Sequence, residues 1–286
     1  MNVEERFRSW AEVEDDIRAA ALVGSRARMN VPADEWSDYD IAAFARDPDA
    51  LLGRDDWVRE LGDVRLTFLE PTATGDGRER RVLYDDGTDV DFAVLPAEAI
   101  VGERAAEVVA RGIKVLLDKD GMLAERLADV PPAQPRAEPS SEELSELVND
   151  FFYHAVWAAK KLRRGELFTA KQCVDSYMKA LLLRMLEWHA RARDPEVDTW
   201  HRGRFLEQWA EPRAVEELRA AYAHYDEEDV RRVLFATIEL FRRLSKQTAE
   251  RIGLAYPDDA DEFATGLTER ILDPAEPSTM PGTVEG

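Results

Sequence analysis

A proline-rich stretch, DVPPAQPRAEPSS at residues 129–141, divides the chain into two parts with different periodicities. Proline fixes φ and lacks a backbone donor, so four of them in that stretch exclude a continuous helix or a central strand. Before it, short apolar runs alternate with turns. After it, apolar residues recur every three or four positions, as at Leu181, Met185 and Trp188. The expected architecture is therefore an α/β domain with a mixed sheet over residues 1–128, a linker over 129–141, and a helical bundle over 142–272. The Pro-rich residues 273–286 are expected to be a disordered tail. A chain of 286 residues suits two domains of ordinary size.

Within the first part, residues 4–17 read as a helix and Arg18–Gly24 as a strand ending at Gly24-Ser25. Tyr39–Ala45, Val64–Leu69, Arg81–Tyr84, Thr88–Leu95 and Ile113–Leu117 read as further strands. Asp85-Asp86-Gly87 marks a hairpin turn. Asp47–Leu61 and Pro96–Arg111 read as helices. Beyond the linker, helices are expected at Glu142–Arg164, Leu167–Arg193, 200–209, 212–223 and Glu227–Ile252.

Charge narrows the partners. Fifty-nine acidic against 38 basic residues gives −21, which repels nucleic-acid phosphates and would draw a cationic ligand into an acidic cleft. One cysteine, Cys173, excludes a disulfide framework or a Cys-rich zinc site. The four histidines form no HxxxH or HExxH pair, and neither GxxxxGK[ST] nor GxSxG is present. Met1–Asp16 has no apolar core of a signal peptide and no uncharged run approaches a membrane span, so a cytoplasmic protein without membrane or nucleic-acid partners is expected.

The chemistry concentrates at Gly24-Ser25, followed after twelve residues by Asp38-Tyr39-Asp40. Side chains alternate along a strand, so Asp38 and Asp40 project from one face. Paired carboxylates repel unless a cation lies between them, and Mg²⁺ bound to phosphate oxygens is a natural occupant. Asp91, on the strand that begins Asp89-Val90-Asp91, would complete a three-carboxylate cluster of the kind used in phosphoryl and nucleotidyl transfer. The backbone of Gly24 allows close approach of a triphosphate, the Ser25 hydroxyl and amide can donate to it, and Arg26 adds a positive group.

GSRARMNVPADEWSDYDIAAF (24–44) resembles the nucleotidyltransferase signature of the aminoglycoside 6-adenylyltransferases, which modify streptomycin. The resemblance continues through LYDDGTDVDFAVLP (83–96), KVLLDKDG (114–121) and AKQCVDSYMKALLLRMLEWH (170–189), and covers about residues 5–265. It implies a polymerase-β-like nucleotidyltransferase domain followed by a helical bundle, with ATP and Mg²⁺ as co-reactants and AMP transfer to a hydroxyl. By position, Asp38 and Asp40 match the metal-binding pair. Asp91 matches the third carboxylate, the base for the attacking hydroxyl, and Asp89 lies on the same strand face. Gly24, Ser25 and Arg26 match the triphosphate-holding segment. Lysines of the helical domain reach the triphosphate in related enzymes; Lys171 is the first choice here and Lys160 the second. Arg28-Met29 departs from the family's common Asn-Pro, and Arg65–Arg78 matches loosely.

Streptomycin carries guanidinium groups that pair with carboxylates, and Glu146, Asp150 and Asp175 are candidate partners. A monomer acting on this cationic aminoglycoside, and so conferring antibiotic resistance, is expected. The alternatives are a nucleotidyltransferase of the same fold acting on another small-molecule or protein hydroxyl, or a non-catalytic nucleotide-binding module.

Overall fold

The computed structural model describes residues 2–28, 33–72, 77–96, 99, 108–130, 137–199 and 202–273. The chain forms two compact units, Met1–Pro135 and Arg136–Gly286. Residues 131–136 of the linker expected at 129–141 and 274–286 of the tail expected at 273–286 lie outside the described residues, as does most of the helix expected at Pro96–Arg111, of which 108–111 are helical.

The first unit is built on a six-stranded mixed sheet of order β3-β4-β5-β2-β1-β6. The strands are β1 (Ile17–Val23), β2 (Tyr39–Ala45), β3 (Val64–Pro71), β4 (Arg78–Tyr84), β5 (Asp89–Pro96) and β6 (Lys114–Asp118). β2 and β5 pair in parallel, and all other neighbours are antiparallel. Alternation sorts β5 cleanly: Val90, Phe92 and Val94 enter the larger core, while Asp91 and Leu95 face the other way. That larger core is aromatic. Trp57 stacks on Trp10 at 5.0 Å and meets Phe92 edge-on at 4.9 Å, with Phe7 at 5.5 Å from Phe92. On the opposite face a smaller cluster gathers Ala42, Phe44 and Leu123.

Helices α1 (Val3–Val13), α2 (Pro48–Leu52), α3 (Asp56–Glu60) and α4 (Met122–Ala128) complete the unit. The single helix expected over Asp47–Leu61 is two short ones. Asp47 caps the first by accepting from the Ala50 amide at 3.0 Å, and Gly53 ends it. The Trp57 indole then donates to the Leu51 carbonyl at 3.2 Å, which also accepts from the Arg54 amide at 3.4 Å.

The second unit is helical: α5 (Ser141–Arg163), α6 (Leu167–Gln172), α7 (Met178–Arg193), α8 (Leu206–Trp209), α9 (Pro212–Arg219), α10 (Glu227–Ile252) and α11 (Asp258–Leu272). A capping box starts α5, with the Glu143 amide donating to Ser140 Oγ at 3.1 Å and the Ser140 amide to Glu143 Oε2 at 2.9 Å. Leu167–Arg193 is not one regular helix: a π-helical turn at Cys173–Tyr177 joins α6 to α7. The helix expected at 200–209 shortens to α8 because Arg202 and Phe205 take positive φ of 53° and 54°. The run His224–Asp229 leads into α10, whose first amides are served by Asp226 accepting from the Asp229 amide at 2.9 Å. Phe151 and Phe241 stack at 3.7 Å in the bundle core.

α11, not bounded individually within the helical bundle expected over 142–272, is held to α10 by a buried charge. Asp261 accepts from Arg242 Nε at 2.7 Å and Nη2 at 2.6 Å, and from the Tyr256 hydroxyl at 2.8 Å. Burial pushes its carboxyl up, but these donors outweigh it and hold the group below the usual carboxylate range. Removing the Asp261 charge leaves the partly buried Arg242 with Glu239 as its other ion pair. Asp261→Asn is expected to lower unfolding stability by about 3 kcal/mol at pH 7. The depressed carboxyl contributes stability above its unfolded pKa and loses it as pH falls through the folded one. The gap between the native protein and the variant in chemical denaturation should therefore close on acidification below pH ~4.

Candidate active site

β2 and β5 are in register at Asp40↔Asp91, and the same rung continues to Val23 on β1 and Arg81 on β4. Paired positions share a face, so Asp40, Asp91 and Arg81 stand side by side opposite the aromatic core. Asp38, immediately before β2, lies with them: Asp38, Asp40 and Asp91 each offer an oxygen within 4.8 Å of the others. Asp89 is exposed and outside that group.

Each acid has a different setting. Asp91 is 5% exposed; burial, reinforced by Asp40, Glu79 and Asp89 and opposed by Arg81, pushes its carboxyl up to about 7. Its Oδ2 pairs with Arg81 Nη2 at 2.8 Å, and its Oδ1 is buried without a hydrogen-bond partner among the described residues. Asp38 and Asp40 are half-buried. Three converging carboxylates with an unspent buried oxygen are a donor set that fits a hard divalent cation such as Mg²⁺.

β1 ends at Val23 and turns through a single 3-10 turn, Gly24–Ala27, directly against these acids. Gly24 has φ +66°, and a Cβ there would sit 1.9 Å from Asp40 Oδ2. Only glycine fits both the left-handed backbone and the approach to Asp40. Ser25 is buried, yet its hydroxyl has no hydrogen-bond partner among the described residues. An orphaned donor beside a metal-competent acid group suits a phosphate oxygen.

Arg26 is committed elsewhere. Its guanidinium lies over the Tyr39 ring at 3.9 Å and donates to the carbonyls of Ser37 and Asp38, Nε at 3.0 Å to each. Asp34 braces the same loop by accepting from the Trp36 amide at 3.0 Å and from the Ser37 hydroxyl at 2.9 Å. Arg26 thus fixes the backbone that presents Asp38.

The lysines expected to meet a triphosphate both belong to the helical unit. Lys160 is exposed. Lys171 pairs with Asp175 and donates to the Ala223 carbonyl at 2.7 Å. Nearby, Lys179 is buried and donates to Thr237 Oγ1 at 2.8 Å and the Val174 carbonyl at 3.0 Å; burial lowers its ammonium to about 8, against the pull of Asp175. Asp150 accepts from the Tyr177 hydroxyl at 3.0 Å and pairs with His154 at 2.7 Å, and Glu146 is exposed. Burial raises the Cys173 thiol to about 11, so it stays an unreactive thiol at neutral pH.

Two residues of consequence fall outside the sequence-based set. Lys179 carries no local signal, because its burial depends on α10. Arg81 carries one: counting back from the Asp85-Asp86-Gly87 turn places it opposite Asp91.

A mixed sheet that converges three carboxylates beside a Gly-Ser turn, followed by a helical unit, defines a nucleotidyltransferase. The sequence profile described as Streptomycin adenylyltransferase matches residues 2–271, and the chain belongs to that family. It is 28% identical over 275 residues to an aminoglycoside 6-adenylyltransferase of Bacillus subtilis (strain 168), covering 93% of this chain and 95% of that one. It is 24% identical to the aminoglycoside 6-adenylyltransferase of Campylobacter jejuni, over 87% of this chain and 88% of the relative. A crystal structure of an aminoglycoside 6-adenyltransferase from Bacillus subtilis aligns with TM-score 0.47 and 23% identity, over 95% of this chain and 98% of that one.

The glycine makes the tightest demand on this site. Gly24→Ala is expected to destabilise the protein by about 1–2 kcal/mol through the left-handed backbone alone. Displacement of Asp40 should lower AMP transfer at least ~100-fold, since small misplacements of catalytic groups cost on that order. Denaturation and turnover measured on the same variant check both effects.

Proposed function

We propose that this protein transfers AMP from ATP to a hydroxyl of streptomycin, releasing pyrophosphate and so conferring resistance to the antibiotic. The observation that carries the reading is the convergence of Asp38, Asp40 and Asp91 beside Gly24-Ser25. Family membership supports the adenylyl donor, and the names of the relatives support an aminoglycoside acceptor. A net charge of −21 suits a polycationic acceptor.

In this reaction the acceptor oxygen attacks the α-phosphorus in line, the bond from that phosphorus to the bridging oxygen breaks, and pyrophosphate leaves. Asp38 and Asp40 would hold Mg²⁺, with Asp91 adjacent. When bound, that ion neutralises phosphate charge and stabilises the attacking and leaving oxygens. Ser25 donates its hydroxyl to a phosphate oxygen, and Gly24 leaves room for it. Asp91 takes the proton of the acceptor hydroxyl; a carboxyl held up near neutrality by burial is suited to that transfer. Arg26 keeps Asp38 in place by binding the loop carbonyls.

Incubation with Mg-ATP and streptomycin, followed by pyrophosphate release and mass spectrometry of the antibiotic, tests the proposal. The native protein should yield an AMP adduct. Asp38→Asn and Asp40→Asn should each lower turnover by at least ~10³-fold while the fold stays intact, a loss of about 4 kcal/mol in barrier stabilisation. Turnover within tenfold of native in either variant would overturn the metal assignment. An adduct with another aminoglycoside alone would keep the chemistry and replace streptomycin as acceptor.

A further inference from the structure

The guanidinium of Arg81 touches three carboxylates. On one side it meets Asp91 Oδ2 at 2.8 Å; on the other it pairs with Glu70 of β3 through Nε, and Glu79 lies 3.6 Å from Nη2. The register explains the grouping. Arg81 stands opposite Asp91 on β5, and Glu79, two residues earlier, lies on the same face opposite Glu70 of β3. Glu70 therefore anchors the fork from the edge of the sheet while its far end grips Asp91. A guanidinium offers several donors in a fixed plane, so it can orient a carboxylate where a single ammonium only attracts one.

The consequence lies in the two oxygens of Asp91. One is paired with Arg81, the other is buried without a hydrogen-bond partner among the described residues, and an oxygen of the same carboxylate lies within 4.8 Å of both Asp38 and Asp40. Apart from Arg81, the neighbouring charges that act most on this 5%-exposed carboxylate are acids: Asp40 on the adjacent strand, Glu79 and Asp89.

We infer that Arg81 is a positioning residue for adenylyl transfer: anchored by Glu70, it holds one oxygen of Asp91 and thereby aims the other at the Asp38–Asp40 pair. This rests on the assignment of Asp91 to the reaction made above. It also makes Arg81 a cationic neighbour of the metal-competent acids, so metal binding and turnover respond to its loss in opposite directions.

The test uses the full chain, with Mn²⁺ binding followed by electron paramagnetic resonance and turnover measured with Mg-ATP and streptomycin. Arg81→Gln should bind Mn²⁺ at least ~3-fold more tightly, because a neighbouring positive charge is gone. Its kcat should fall about 30-fold with KM for ATP within threefold of native, the scale of one charge-assisted hydrogen bond lost from the transition state. Arg81→Lys should recover part of the loss. Glu70→Gln, which leaves Asp91 and Arg81 in place but removes the outer anchor, should lower kcat about 3- to 10-fold without changing Mn²⁺ affinity by more than twofold. Asp91→Asn serves as the reference. If it binds Mn²⁺ and turns over like the native protein, the assignment of Asp91 falls and this inference with it. If Asp91→Asn is inactive but Arg81→Gln has native Mn²⁺ affinity and kcat, Asp91 stands and the role of Arg81 is overturned. Loss of Mn²⁺ binding and thermal stability together in Arg81→Gln, with native kcat in Glu70→Gln, would also overturn it.

Discussion

The parallel pairing of β2 with β5 is the constraint on which the site depends, because it alone brings Asp40 beside Asp91. Bringing them together is unfavourable. Two unit charges at 4.8 Å or closer repel by about 3 kcal/mol at an effective dielectric of 20, and Asp38 adds its own share. The opposite face of the same two strands supplies the compensation. Phe92 and Ile41 are fully buried there against Trp57 and Phe7, each large apolar side chain contributing about 1.5–3 kcal/mol. A strand whose alternate residues bury an aromatic core has no freedom to slip, since a one-residue shift would send Phe92 to the acids and Asp91 to the core. The aromatic layer thus fixes the acids by fixing register.

Everything around the acids then relieves or exploits that repulsion. Gly24 lets the end of β1 pass against Asp40, which brings the amides of the Gly24–Ala27 turn and the Ser25 hydroxyl to a negatively charged group. Arg26 turns away from the acids and spends its charge on loop carbonyls, stacking on Tyr39 as it does so. Arg81 is the cation paired directly with Asp91, and it too is surrounded by carboxylates. The local balance stays negative, which is the condition under which a divalent cation is favoured.

How legible this was in the sequence varied with how local each signal is. Asp38, Asp40 and Asp91 could be grouped from the period of a strand and from the apolar runs that mark β2 and β5. The Asp85-Asp86-Gly87 turn even fixes the register that places Arg81 opposite Asp91, so that residue was within reach. Arg26 was not. A cation next to a Gly-Ser turn reads naturally as a phosphate contact, and its actual partners depend on the path of residues 34–38. The break after α2 follows from Gly53 and Asp47, both visible, whereas the π-helical turn at Cys173–Tyr177 has no composition cue. α11 carries acids in its first turn at Asp258, Asp259 and Asp261, an ordinary helix-start signal. That one of them is 2% exposed and bound to Arg242 is a tertiary fact.

The helical unit shows why residue type and spacing alone do not assign its lysines. Lys171 and Lys179 flank the π-helical turn, eight residues apart, and both relate to Asp175 within it. A π-helical turn inserts an extra residue's worth of rotation, which changes which side chains share a face from one end of the segment to the other. Lys179 points into the bundle, where Thr237 of α10 and a backbone carbonyl receive it, while Lys171 reaches the Ala223 carbonyl at the approach to α10. Eight residues of regular helix would leave the two about 80° apart around the axis, and the wider π-helical turn narrows that angle. One acid is thus shared between two cations in different surroundings, Lys171 in direct contact and Lys179 at 4.0 Å, and burial lowers the Lys179 ammonium to about 8.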